Sequence, residues 1–228
     1  MKFNDFIPPI LIKALSKINC KISIKSSTKH LDSTKQELNL YWNNDFANIL
    51  ETWAEDNAWC EIQLLLANTK GKILDVACGT GRVIEILKKF DHLEVYGLDI
   101  SDLLIKRAIE RGIEKTTLKI CDACNTGFSD NSFEYSYSIG SLEHFTEEGI
   151  IGFLKECSRH TKFGSFHMIP VSRNGKDNGW IRTSQTYFNN SEEWWLNKFR
   201  KYFSKVYIVK SKWEDNISFG RWFLCYKY

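Results

Sequence analysis

Between Gly71 and Val171 the chain switches repeatedly between two hydrophobic rhythms. Short runs rich in apolar, β-branched and aromatic residues occur at 72–77 (KILDVA), 94–100 (EVYGLDI), 117–122 (TLKICD), 133–139 (FEYSYSI) and 164–171 (GSFHMIPV). Runs of this length and composition predict strands. Between them, at 81–89, 101–111 and 147–158, apolar positions recur every three to four residues, as on the buried face of a helix. Strands alternating with helices predict a parallel sheet covered on both faces. The last third changes rhythm. A helix is predicted at 191–203 with Ser191 as its cap. Two strands follow, KVYIVKSKW and FGRWFLCYKY, with only Glu214-Asp215-Asn216 and neighbours between them. So short a link implies a hairpin, and hence one antiparallel strand in an otherwise parallel sheet.

Upstream of Gly71 the pattern is different again. From Tyr41 to Ala67 it reads helical and aromatic, through Trp42, Phe46, Ile49, Leu50, Trp53, Trp59, Ile62, Leu65 and Leu66. Residues 19–40 are polar, with few apolar anchors, and read as a linker. Before them, Pro8-Pro9 opens a predicted amphipathic helix. Ile10, Leu11, Ala14, Leu15 and Ile18 share one face, with Lys13, Lys17 and Lys21 away from it. That helix is expected to pack on the domain or on a second subunit of a homodimer, or else to lie on a membrane surface. The expected organisation is a helical extension or lid at 1–70 and one domain at 71–228.

Composition narrows the partners. The 228 residues suit one domain with some embellishment. A net charge of +3 is too mild for a dedicated nucleic-acid binder. No stretch reaches the ~18 apolar residues of a membrane span. The seven cysteines are odd in number and scattered, which fits a reduced, cytoplasmic protein. Cys121 and Cys124 form a CxxC without a second pair or nearby histidines, so neither a zinc site nor a disulfide is expected there, and no metal elsewhere.

Chemistry enters at residues 73–82, ILDVACGTGR, where a strand ends in an acid and two glycines follow. A phosphate-binding loop needs GxxxxGK[ST], but Arg82 follows the second glycine. A dinucleotide fingerprint needs a third glycine where Ile84 stands. The run LDVACGTG instead resembles the first motif of class I, Rossmann-like S-adenosylmethionine-dependent methyltransferases. Two further acids support the resemblance: Asp99 ends the second predicted strand and Asp122 the third. The resemblance spans about residues 70–228. It implies a seven-stranded, mostly parallel, doubly wound α/β sheet of order 3-2-1-4-5-7-6 with the last strand antiparallel, and S-adenosyl-L-methionine as cofactor. It implies that Asp75 orients the methionine amino group and Asp99 accepts from the ribose hydroxyls. Ile100 would lie against the adenine and Asp122 would read its amino group. Ala77, Cys78, Gly79, Gly81, Ala123 and Ser138 complete the implied cofactor set, the glycines allowing close backbone approach.

The acceptor is sought past the fourth strand, in YSIGSLEHF at 137–145. His144 is the first candidate for general base, with Glu143 orienting it, unless the pair only caps the next helix. His167 is the second, against a reading as a core histidine. The link at 171–190 is long for a strand–helix connection and carries Arg173, Trp180 and Arg182, a composition suited to a small anionic, polar acceptor or to a solvated basic loop. Tyr41, Trp42 and Trp59 are lid candidates or ordinary packing. With the FIPPIL opening, the chain is similar to small methyltransferases encoded with bacterial surface-polysaccharide genes. The expected activity is therefore methyl transfer to an oxygen of a sugar, sugar nucleotide or phosphorylated precursor. The alternatives are an N-methyltransferase or natural-product O-methyltransferase and, in another class, a catalytically silent partner subunit, against which the intact acids and glycines argue.

Overall fold

All five apolar runs between Gly71 and Val171 form strands of one sheet in the computed structural model, which describes residues 36–183 and 185–228. The amphipathic helix expected at 8–21 and the polar stretch up to residue 35 lie outside the described residues. The domain alternates β1 (Gly71–Val76), α3 (Arg82–Leu87), β2 (Leu93–Asp99), α4 (Asp102–Glu110), β3 (Leu118–Ile120), β4 (Phe133–Ile139), α5 (Glu147–His160) and β5 (Thr161–Ser172). It is preceded by a 3-10 turn at Leu38–Trp42 and by α1 (Asn44–Ile49) and α2 (Ala58–Leu66). It ends with β6 (Trp180–Arg182), β7 (Thr186–Phe188), α6 (Glu192–Phe199), β8 (Lys205–Glu214) and β9 (Ser218–Tyr226).

The main sheet has the order β3-β2-β1-β4-β5-β9-β8. Counted along the chain, its seven strands run 3-2-1-4-5-7-6, as expected. β9 is antiparallel to both β5 and β8, because the β8–β9 link turns back directly. The helix expected at 191–203 stops at Phe199, although Phe203 is still buried. Ser191 caps it as expected, accepting from the Trp194 amide at 3.1 Å. Within the 171–190 link, β6 and β7 pair as a separate two-stranded ribbon. Each has only three residues, too few to show an alternating pattern.

Two apolar layers flank the sheet. Ile73, Val95, Tyr137, Phe166, Met168 and Trp222 pack under Ile62 and Leu66 of α2, Ile84 and Leu87 of α3 and Ile105 of α4. On the other face, Leu74, Val76, Leu98, Ile169 and Phe223 meet Phe153 and Leu154 of α5 and Trp195 and Phe199 of α6. The outermost strand, β8, leaves Tyr207 and Val209 exposed. Chain order reverses between β1 and β4, and ligands of open parallel sheets bind outside the carboxyl ends of strands at such a switch point. The register brings Asp75 level with Gly97 of β2 and Tyr137 of β4, while Asp99 closes β2 beside Ile120.

Candidate active site

The loop after β1 is built around backbone conformations with positive φ. Ala77, Gly79 and Gly81 have φ of 63°, 55° and 74°. The Gly79 amide donates to Oδ2 of Asp99 at 2.9 Å, and the Ser101 amide donates to Oδ1 of the same carboxylate at 2.9 Å. Asp99 therefore ties the β1 loop to the start of α4. Gly81 has another task. A Cβ there would overlap Ile113 Cδ1 and lie 2.9 Å from Ala108 Cβ, so this glycine lets the start of α3 pack on the end of α4. Gly81, expected in the cofactor set, does not line the cavity described next.

A cavity of about 290 Å³ opens above the carboxyl ends of the central strands. Asp75, Ala77, Cys78, Gly79, Asp99, Ile100, Asp122 and Ala123 all line it. Ser138 does not. It is fully buried, and its hydroxyl pairs with Nδ1 of His167 at 2.9 Å. Burial pushes the Asp75 carboxyl up to about 8, against the Tyr137 hydroxyl that donates to it at 2.9 Å and with the help of nearby Asp99. Burial raises Asp99 to about 6, opposed by its backbone donors. Two buried acids that keep unused lone pairs and form no ion pair among the described residues suit a ligand carrying a cationic amino group and hydroxyl donors. The residues present thus fit S-adenosylmethionine.

The segment before the domain covers this cavity. Leu38, Tyr41, Phe46, Leu50, Trp53 and Trp59 line it. The Ser101 hydroxyl donates to the Tyr41 carbonyl at 2.6 Å, and Gln185 donates to the Tyr41 hydroxyl at 2.8 Å. The Thr186 amide and hydroxyl both donate to Glu37, at 2.9 and 3.1 Å. Trp42 is exposed and donates to Asp102 at 2.7 Å, so it staples the segment from outside. The outer edge of the Trp53 indole abuts Gly140, whose φ is 62° and whose missing Cβ would collide with the ring.

His144 sits in a 3-10 turn at Leu142–His144 and lines the cavity. Its Nδ1 is 2.7 Å from the Thr186 carbonyl, which only accepts, so Nδ1 carries the hydrogen and Nε2 keeps a lone pair. Glu143 Oε1 is 3.7 Å from that Nε2. Burial pushes Glu143 up to about 8 and leaves its Oε2 without a partner. Burial pulls His144 down to about 4, against the Thr186 carbonyl.

The other expected acceptor residues lie elsewhere. His167 is fully buried in mid-β5, stacked on Phe199 at 5.2 Å, and is a core residue. Arg173 pairs with Glu214 at 2.9 Å and covers the Phe219 ring at 3.9 Å. Trp180 packs edge-on against Phe188, with centroids 4.7 Å apart. Arg182 pairs with Glu37 at 2.9 Å. None of the three lines the cavity, because nearby acids and aromatics hold them. Sequence reasoning missed Phe46 and Leu50 as wall residues. Gly140 in SIGS was the available signal that a bulky ring approaches the backbone there.

Residues 73–164 match the family model of a methyltransferase domain. The chain is 32% identical over 121 residues to demethylmenaquinone methyltransferase of Thermotoga maritima, covering 52% of each protein. It spans between about a quarter and a half of the length of the curated relatives it matches first. Among solved structures, a S-adenosylmethionine-dependent methyltransferase of Thermotoga maritima superposes with a TM-score of 0.62 at 17% identity, over 84% of this chain and all of that one. Phosphoethanolamine N-methyltransferase 2 of Haemonchus contortus, in complex with S-adenosyl-L-methionine, gives 0.57 at 18% identity, over 74% and 52% of the two chains. Residues 73–164 thus match a methyltransferase domain, and the chain has the fold seen in S-adenosylmethionine-dependent methyltransferases of known structure.

Proposed function

We propose that this protein transfers a methyl group from S-adenosylmethionine to a hydroxyl oxygen of a small acceptor. The observation that carries the reading is one cavity bearing three strand-end acids, Asp75, Asp99 and Asp122, beside the Gly79 loop. Asp75 would hold the amino group of the donor. Asp99 would take the ribose hydroxyls on the lone pairs that Gly79 and Ser101 leave free, and Ile100 with Asp122 would receive the adenine. Bound there, S-adenosylmethionine supplies an electrophilic methyl group. The protein's part is to align a hydroxyl, exclude water and take up its proton. His144 Nε2 would accept that proton, with Glu143 beside it as the positioning residue. The stretch before Gly71 would act as the lid, latched through Glu37 and Tyr41 to residues 185–186. Arg173 and Arg182, expected to hold an anionic acceptor, are paired outside the cavity.

The test is calorimetric titration with S-adenosylhomocysteine. Micromolar binding is expected. Asp75→Ala and Asp122→Ala should each weaken it by roughly 1–3 kcal/mol, the usual cost of losing a hydrogen bond to a charged group. Unchanged affinity in both variants would overturn the assignment. Asp99→Ala is a poorer probe, because it would also release the Gly79 and Ser101 amides.

A further inference from the structure

The half of the cavity that holds no donor-binding acid has a chemistry of its own. Its walls come from the end of β4, the turn after it and the covering segment: Ile139, Phe145, Phe46 and Trp53, with Ser141 and His144 as polar members. The polar ends of Tyr41 and Gln185, which also reach the cavity, are bonded to one another. Among the described residues lining the cavity, Arg82 is the one Lys or Arg side chain, and it is paired with Glu85 at 2.6 Å. Asp75 and Asp99 lie on β1 and β2, and Asp122 lies two residues past the end of β3.

We infer that this half takes an uncharged, flat, apolar acceptor carrying a hydroxyl, of the hydroxyarene class, with Trp53 as its stacking wall. This rests on the methyltransferase reading and names the acceptor for that same site. An anion entering here would leave water for a wall without a free cation and with three acids nearby. A cation would find no ionised partner in the turn after β4, where burial keeps both Glu143 and His144 uncharged near pH 7. An aromatic ring has what the wall offers. The outer edge of the Trp53 six-membered ring abuts Gly140, which fixes its position before anything binds, and an aromatic contact with such a ring adds to simple burial. The hydroxyl then finds the lone pair of His144 Nε2, which the Thr186 carbonyl has set.

The experiment uses the full chain saturated with S-adenosylhomocysteine and titrated calorimetrically with 2-naphthol and with 2-naphthyl phosphate. We expect 2-naphthol to bind and the phosphate to bind roughly tenfold more weakly or not at all, the consequence of desolvating a charge without a partner. Trp53→Ala should weaken 2-naphthol by about tenfold while S-adenosylhomocysteine affinity is kept, and Trp53→Phe should recover most of the loss. If Trp53→Ala does not fold by circular dichroism, Phe46→Leu serves as the second wall variant. Equal or tighter binding of the phosphate overturns the inference, and so does failure of 2-naphthol to bind a protein that holds S-adenosylhomocysteine. Both of those outcomes leave the donor site standing. Absence of S-adenosylhomocysteine binding itself removes the methyltransferase reading and the inference with it.

Discussion

A histidine can act as a base only through a ring nitrogen that keeps its lone pair, and at His144 the Thr186 carbonyl decides which one does. Burial lowers this ring to about 4, so it stays neutral far below the usual histidine range. The acidic limb of a pH–rate profile is therefore expected near pH 4, not near the ordinary value of about 6.5. His144→Ala should lower turnover by at least about a hundredfold with S-adenosylhomocysteine affinity retained, a typical general-base effect. Single-turnover kinetics would show it; a variant that keeps most of its rate would leave catalysis to alignment alone. His160 makes a different point about single residues. It is fully buried against Phe128 and Phe133, and both ring nitrogens lack partners. His160→Phe should stabilise the fold by about 1–3 kcal/mol, since it removes buried unsatisfied groups. The gain should be larger at pH 5 than at pH 7.5. A ring held down at about 4 contributes stability above its unfolded value near 6.5 and loses it as pH falls through 4. Urea midpoints at the two pH values check this.

At the scale of elements, the cover over the cavity is tied to Asp102, Arg107 and Arg111 on one side and to residues 182–186 on the other. Glu37 alone holds the Thr186 amide, the Thr186 hydroxyl and Arg182. Glu37→Ala is expected to raise hydrogen exchange at the Thr186 amide by about tenfold, the kinetic equivalent of roughly 1.4 kcal/mol of lost closure, while amides in β1 and β4 keep their protection. Unchanged exchange at Thr186 would mean that Tyr41 and Gln185 suffice as the latch. These contacts also mark where the sequence stops being legible. Strands and helices of the domain showed through their periods of two and about 3.6, and the hairpin through its short link. The three acids showed because each falls at or just past the end of an apolar run. The latch did not, since Glu37 meets Thr186 across 149 positions and nothing local at either end encodes the meeting. Residues 36–40 accordingly read as the end of a linker, although they form part of the cavity wall. Arg173 and Arg182 misled for a related reason. Composition gives a side chain's charge but not its partner, and both had acids waiting on the β8–β9 turn and on the cover.

Across the whole molecule, buried acids and buried histidines oppose one another. Burial raises Asp75 to about 8, Asp99 to about 6 and Glu143 to about 8. The folded chain thus keeps protons that the unfolded chain releases at about pH 4, so this contribution is complete in acid and fades as pH climbs through 6 and 8. His144, His160 and His167, lowered to about 4, 4 and 3, act in the reverse sense on the acid side. The ligand-free protein should therefore melt at a lower temperature at pH 8.5 than at pH 6.5. S-Adenosylhomocysteine, with its cationic amino group, favours the ionised form of Asp75. The rise in melting temperature that it causes should grow across the same range. Differential scanning fluorimetry with and without ligand tests both statements. A pH-independent rise that persists in Asp75→Asn would place the amino group elsewhere.

The outermost position of β8 has a consequence for how the protein behaves in a crowded solution. Among the described residues no strand pairs with the outer edge of β8, although Glu61 accepts from its Lys212 amide at 2.6 Å, and exposed Tyr207 and Val209 stand beside that edge. Such an edge is a template for another chain to add to. Lys205, Lys210 and Lys212, all exposed along the same strand, bring like charge to any second copy that approaches in register. The lysines thus act as gatekeepers against fibrous growth, and neutralising them to improve crystallisation or labelling would trade solubility for the open edge they guard.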